Sequence, residues 1–519
     1  MRTRNSRSLL ALAVLVLAAG TVFTAAGLLF VSRDVEVGVN VFPNPPGVID
    51  ANNSPTVVAN PIRPANLVVV NRVDRPGYTA ALHWSANGGA SWRTTRLPLP
   101  DWAGTCTARH PESPNCPFAP DAAFAPDGTL YVSYVNLQGN GNVPENLWVA
   151  RSADGGATLS GPVKVAGSNA FQARVVVDEE GTLHVTWLQA SDVGLLKLTG
   201  PARIVAARSE DGGRSFSAAV PLSDPDRARV GAATPVVVSN GDLAVLYEDF
   251  KDDARDFLDL EGPPWQGTFG LVVATSGDGG RSFGKEVELE SEIVPQKRFL
   301  VFLPETPSIA PGPSGSLYVA WADGRNGDED VFLRRSLDAG RSWRRAVRVN
   351  DNPLRDRTDQ FLPRVAVAPG GRVDVVFLDR RRDPTNLMTE ATLAVSRDRG
   401  GRFENVRLSA SPFDSRVGPQ TGPTYLGTDL GSRLGLVSFR RTAFAAWADS
   451  RRGNETTGRQ DIAAARATIP DLSGRWLRIL IPAAFLAATL AALAGWWAQR
   501  ARDVRGEPAP EHAQIDSHT

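Results

Sequence analysis

Cysteine, methionine and histidine are all scarce in this chain of 519 residues, which has two, two and five of them. Two thiols, Cys106 and Cys116, cannot build a disulfide-dense scaffold or a four-thiolate zinc site. Five histidines, two of them in the last eight residues, leave little material for a histidine metal cluster. Neither sign of charge dominates, since 56 Lys+Arg offset 56 Asp+Glu. That balance excludes the basic footprint of a nucleic-acid binder and the acidic excess of a disordered chain. No phosphate-cradling glycine loop of Walker or Rossmann type opens a helix. Neither a cofactor nor a metal is therefore expected. What is present is 42% hydrophobic residues, with 48 glycines and 38 prolines. That is enough to punctuate many turns, yet short of the roughly 25–30% of low-complexity chains. Many short strands follow.

Two long uncharged runs flank the chain. Residues 8–32 carry no charge and follow Arg2, Arg4 and Arg7; residues 479–499 lie between Arg478 and Arg500, bordered by Trp476, Trp496 and Trp497. Each is long enough to cross a hydrocarbon core of about 30 Å. The first also reads as a secretory signal with a small-residue cleavage site at Thr24-Ala25-Ala26, so anchor and cleaved signal both remain open. Arg500, Arg502 and Arg505 place the tail in the cytoplasm by the positive-inside rule, as Arg2 to Arg7 place the start. The expected organisation is a cytoplasmic N-terminus (1–7), a transmembrane helix (8–32), an extracytoplasmic domain (33–475), a second transmembrane helix (476–499) and a cytoplasmic tail (500–519). An external compartment permits a Cys106–Cys116 disulfide.

Between the runs one eight-residue box returns six times: Ser, any, Asp, any, Gly, two of any, then an aromatic or large apolar residue. The copies begin at Ser85, Ser152, Ser209, Ser276, Ser336 and Ser396, at a mean interval near 62 residues. Asn87 replaces Asp in the first, and Leu159 closes the second. Ser and Asp side chains bond nearby backbone in a tight loop and Gly supplies positive φ, so each box is read as a folding device between two strands. Upstream lie alternating runs such as Leu183-Val185-Trp187 and Leu317-Val319-Trp321, whose period of two signals strands. Units of four strands, a to d from inside outward with the box between c and d, predict an all-β propeller. Seven units are counted, six being the alternative. The seventh has only three strands before the second apolar run, and residues 35–39 are expected to supply its fourth, closing the ring.

In this topology the boxes and a–b turns share one face, while the b–c and d–a connections share the other. The long loops, including 101–120, 136–146, 189–202, 249–268, 291–304 and 350–361, gather on that second face, where function is expected. Asp323, Asp379 and Asp449 end strands b there, preceded by Trp321, Phe377 and Trp447 and followed by Arg325, Arg381 and Arg451. Two readings stand for these pairs: a bidentate staple of the b–c loop, or a ring of guanidinium groups gripping an anionic or hydroxyl-rich ligand.

The boxes, together with Asp359-Gln360-Phe361-Leu362-Pro363, Phe377-Leu378-Asp379-Arg380-Arg381, Tyr425-Leu426-Gly427 and Trp447-Ala448-Asp449-Ser450-Arg451, resemble the Asp-box, or bacterial neuraminidase repeat, proteins of the sialidase superfamily. The resemblance spans residues 54–468. It implies a sialidase-like propeller and, for an exo-α-sialidase, three arginines on the substrate carboxylate, a Tyr activated by a Glu as nucleophile and an Asp as acid/base. Carried over, these roles fall on Arg325, Arg381 and Arg451, on Tyr425 with Glu248, and on Asp323. The arginine-bearing motif of the first blade is replaced by Asn60-Pro61-Ile62-Arg63-Pro64, and sialidases have six blades rather than seven. Two functions are therefore carried forward. One is a membrane-anchored module that binds a glycan or a membrane-associated protein; the other is a glycosidase removing terminal sugars.

Overall fold

The computed structural model describes residues 35–101, 116–138, 143–191, 193–194, 197–198, 201–251, 267–294, 305–419, 430–470 and 475–505. The chain divides into two units, Glu36–Thr468 and a unit made of the two chain ends. The first is a seven-bladed β-propeller of antiparallel sheets, in which blades 1 to 6 each use four strands in sequence, blade 6 adding the short strand Phe413–Asp414, and blade 7 takes its outer strand from residues 36–37. The innermost strands are Asn52–Ala59, Pro117–Phe124, Ala170–Val177, Val230–Val237, Ser308–Pro311, Gln360–Val367 and Gly435–Ser438. Each packs against the next around the ring, and the seventh returns to the first.

Ring closure joins the two ends of the propeller sequence. In blade 7, strands Gly435–Ser438, Thr442–Asp449 and Asp461–Thr468 take Glu36–Val37 as their outer strand, with Glu36 opposite Thr468 and Val37 opposite Ala467. Asn40 ties the same segment to blade 6, donating to Leu408 O at 2.9 Å and accepting from Ala410 N at 2.8 Å. The seventh blade expected from the sequence is thus completed by the expected segment.

The core lies between neighbouring blades, because each sheet buries both faces. Val68, Val70 and Leu82 of blade 1 meet Leu130, Val132 and Tyr134 of blade 2, and Val57, Leu67 and Val69 meet Phe444, Ala446 and Ile462 across the closure. Full burial of such a side chain stabilises by about 1.5–3 kcal/mol, so every interface contributes. All six boxes fold alike. The serine Oγ accepts from the backbone N–H of the glycine four residues on, as in Gly89 to Ser85 at 2.9 Å, Gly213 to Ser209 at 2.9 Å and Gly400 to Ser396 at 2.8 Å. Gly89 has φ +91, and a Cβ there would stand 2.7 Å from Phe444 of blade 7. The box therefore clamps its blade onto the preceding one, and only glycine permits the approach.

Two expectations are adjusted. Strands Leu130–Gln138 and Val143–Ser152 run well into the segment 136–146 expected as a long loop, because Asn136 pairs with Asn146 and Gln138 with Val143. The connection 189–202 carries a small hairpin of its own, Val193–Gly194 with Lys197–Leu198. Cys116 is disulfide-bonded; Cys106 lies outside the described residues.

In the second unit the helix Arg475–Arg505 is 31 residues long. The expected N-terminal span 8–32 lies outside the described residues, as do the side chains of 475–486, where the expected second span begins. Among the described residues no helix is long and apolar enough to cross a membrane, so the two flanking transmembrane helices are not seen.

Candidate functional site

Five of the seven inner strands share one irregularity. Their ladders to strand b skip between Asn53 and Thr56, Phe118 and Asp121, Phe171 and Arg174, Gly231 and Thr234, and Phe361 and Arg364. In each gap a non-glycine residue is left-handed: Ser54, Ala119, Gln172, Ala232 and Leu362, with φ from 49 to 55. Gly431, φ 96, repeats the arrangement ahead of the seventh inner strand, two residues before Arg433. A left-handed L-residue costs roughly 1–2 kcal/mol, and a bulge re-aims the side chain that follows it. Repetition of the same strain around one axis marks the channel as a built site.

The re-aimed residues meet there. Thr56 Oγ1 donates to Asp121 Oδ1 at 2.8 Å, and Val175 N donates to Asp121 Oδ2 at 3.1 Å. Arg433 donates from Nε to Thr56 Oγ1 at 2.8 Å and from Nη2 to Pro120 O at 2.5 Å. Arg174 and Arg364 come from blades 3 and 6, yet both share the field of Asp121 with Arg433 of blade 7. Arg433 is thus bonded into the inner strands of blades 1 and 2, and the charges of Arg174 and Arg364 act on the same Asp121.

Charge there is unbalanced. Burial lowers the Arg433 pKa well below its ordinary value, with repulsion from Arg174, Arg364 and Arg72 outlasting the one opposing carboxylate, Asp121. Burial likewise lowers Arg174 and Arg364, Asp121 opposing in both. Arg72 has its own partner, Asp74 at 2.6 Å. A guanidinium does not lose its proton in a protein, so Arg174, Arg364 and Arg433 stay charged in a desolvated setting in which Asp121 is the opposing charge named for each. Arg174 Nε is a buried donor without an acceptor among the described residues, and the Thr234 hydroxyl is likewise unmatched. Arg364 keeps partial exposure, which leaves the cluster accessible. Its chemistry suits an anion with two or more oxygens, because planar guanidinium forks match carboxylate and phosphate geometry.

The bulges sit near the start of the inner strands, hence toward the face of the b–c and d–a connections. Glu248, one residue from the end of strand Leu243–Asp249, is buried there, and burial, followed by the charge of Glu305, pushes its carboxyl well up. Glu305 immediately precedes Thr306, whose N–H donates to Ser432 O of blade 7 at 2.8 Å. A buried carboxyl with a raised pKa thus lies in the field of a second carboxylate.

The rim pairs read from the sequence staple their own strand ends, and their arginines also reach beyond the blade: Arg325 to Glu290 of blade 4 at 3.2 Å, Arg381 to Asp351, and Arg451 to Asn40 at 2.9 Å. Arg325 Nε donates to Asp323 at 2.7 Å and lies 5.1 Å over Phe332, while Trp321 Nε1 donates to the same carboxylate at 3.3 Å. Arg381 pairs with Asp379 at 2.6 Å, and Arg451 Nε meets both Asp449 oxygens at 2.9 Å with Trp447 Nε1 alongside at 2.9 Å. Each Asp also accepts the backbone N–H of its arginine, at 2.9–3.0 Å. Tyr425 lies outside the described residues. Tyr247 donates to Glu286, but burial and then this contact raise its pKa, the reverse of nucleophile activation. A signal for the central cluster does exist in the sequence, as the recurrent Ser54-Pro55-Thr56-Val57, Ala119-Pro120-Asp121-Ala122 and Leu362-Pro363-Arg364-Val365.

No family model matches the chain, and no curated protein matches it. Among solved structures it is similar to a protein of unknown function from Dyadobacter fermentans, at 13% identity and TM-score 0.45, covering 84% of this chain and 99% of that one. It is also similar to a Hadza microbial sialidase, at 14% identity and TM-score 0.43, covering 78% and 73%. A third similarity is to an α-L-arabinofuranosidase from Fusarium graminearum, at 16% identity and TM-score 0.40, covering 69% and 93%.

Proposed function

We propose that the propeller is an extracytoplasmic recognition module whose central channel takes the anionic end group of a glycan, such as the carboxylate of an acidic sugar. The observation that carries this reading is the convergence of Arg174, Arg364 and Arg433 on the single carboxylate of Asp121. An anion bound there would relieve repulsion that the protein otherwise bears, so binding and stability are coupled. The Asp-box character of the six loops agrees with a place in the sialidase superfamily. The apolar runs 8–32 and 479–499 agree with a membrane anchor at each end, the propeller outside and both termini cytoplasmic.

A second reading, a glycosidase acting on the same end group, is favoured by Glu248, a buried carboxyl with a raised pKa beside Glu305. Paired carboxylates in unlike environments are the acid/base arrangement of glycoside hydrolysis. Calorimetric titration of the full-length chain with N-acetylneuraminic acid and glucuronic acid tests the first reading, and release of a chromophore from their aryl glycosides tests the second. Saturable binding lost in Arg433→Met supports recognition. Turnover that disappears in Glu248→Gln while binding persists supports hydrolysis. No binding of either acid overturns both.

A further inference from the structure

On the opposite face, in two blades the residue that precedes the box serine bridges to the next box. In blade 2 this residue is Arg151, whose Nη1 donates to Gly212 O of the next box at 3.2 Å; in blade 5 it is Arg335, which donates to Arg399 O of the next box at 2.5 Å. Blade 1 has Trp84 at this position. Between Trp84 and the box of blade 2 the surface opens into a cavity of about 330 Å³, lined among others by Arg63, Pro64, Asn66, Ala86 and Asp154.

The walls of this cavity are set. Buried Asn66 donates to Ser85 O at 3.2 Å and to Gly155 O at 3.0 Å, joining the two boxes beneath it. Arg93 stands 5.5 Å over the Trp84 ring and flanks one face of the indole. Arg63 and Asp154 are exposed at the rim. Burial would raise the Asp154 carboxyl, but hydrogen bonds from Thr158 outweigh it and hold the group ionised. The cavity thus offers a half-buried aromatic surface, a donor fork and an acceptor carboxylate, with no net charge between the last two.

We propose that this cavity is a second carbohydrate site, which takes a neutral pyranose. Such a ring carries C–H groups on one face, suited to an indole, and hydroxyls at its edge that both accept and donate, suited to Arg63 and Asp154. The cavity lies at the small end of the ligand-pocket range of about 300–1,000 Å³, enough for one or two rings. An anionic ligand would meet Asp154, and a cationic one would meet Arg63. The site is independent of the central channel, being on the other face and built from blades 1 and 2 alone.

The test is calorimetric titration of the full-length chain, in a detergent without a sugar headgroup, with the methyl glycosides of glucose, galactose and mannose. At least one is expected to saturate. Trp84→Arg installs the residue that blades 2 and 5 already carry and is expected to abolish binding in a variant that still unfolds cooperatively. Should that variant misfold, the exposed Arg63→Ala is expected to weaken binding several-fold. Arg433→Met is expected to leave this binding intact, separating it from the channel. Failure of all three glycosides to bind, or equal binding by the Trp84 and Arg63 variants, overturns the proposal.

Discussion

Arg433 donates to the Thr56 hydroxyl at 2.8 Å across a sequence separation of 377 residues, joining the seventh inner strand region to the first at the centre of the ring. The Thr56 hydroxyl in turn donates to Asp121, so blades 7, 1 and 2 form one hydrogen-bonded line at the channel. Ring closure and the cationic cluster are therefore one piece of structure.

Arg364→Leu is expected to behave unlike an ordinary buried-residue change. Arg364 is largely desolvated, attracted by Asp121 and, less strongly, repelled by Arg174, and replacing a buried charge by an apolar side chain is commonly neutral or stabilising by about 1–4 kcal/mol. Chemical denaturation without ligand should show stability unchanged or raised, while anion binding is lost. A clear destabilisation would mean that Arg364 is paired.

Asp121→Asn should have the opposite sign. It removes the carboxylate that all three arginines share and weakens the acceptor for Val175 N. Breaking a buried charge network from one side costs about 3–5 kcal/mol. Urea unfolding measures the loss, and millimolar sulfate is expected to restore part of it.

Glu248 gives a pH signature. Its folded pKa is raised, so between the unfolded value, about 4.3, and the folded one the native state holds a proton that the unfolded state has released. Stability then falls as pH rises through that window. Glu248→Gln should flatten this part of the stability profile, exceed the parent at neutral pH and converge with it below about pH 4. An unchanged profile would show that Glu248 titrates normally.

The boxes are tested by a pair of glycines. Gly89→Ala adds left-handed strain and a Cβ 2.7 Å from Phe444, whereas Gly241→Ala, φ +87, meets nothing within 4 Å. Strain alone is about 1–2 kcal/mol and overpacking adds about 1–3 kcal/mol. Thermal unfolding should rank Gly89→Ala clearly below Gly241→Ala.

Fold and site were unequally legible in the sequence. Six boxes and period-two runs are local patterns, so the blade count and the closing segment beginning near Val35 could be read before any coordinates. The Asp323–Arg325 type of pair was also visible, because unbroken alternation holds to the end of strand b and puts both on one side. Arg174, Arg364 and Arg433 escaped for the same reason in reverse. They follow a bulge, where alternation fails, and their convergence depends on the angular position of blades 3, 6 and 7, which no linear pattern encodes. Tyr425, read as a nucleophile from resemblance, lies where the structure describes nothing.

The central claim is that the channel binds anions, and crystals of the full-length chain grown in sodium bromide test it most directly. The expected result is an anomalous bromide peak within contact distance of Arg174, Arg364 and Arg433, absent in the Arg433→Met variant. A channel without bromide at concentrations that label surface arginines would contradict it.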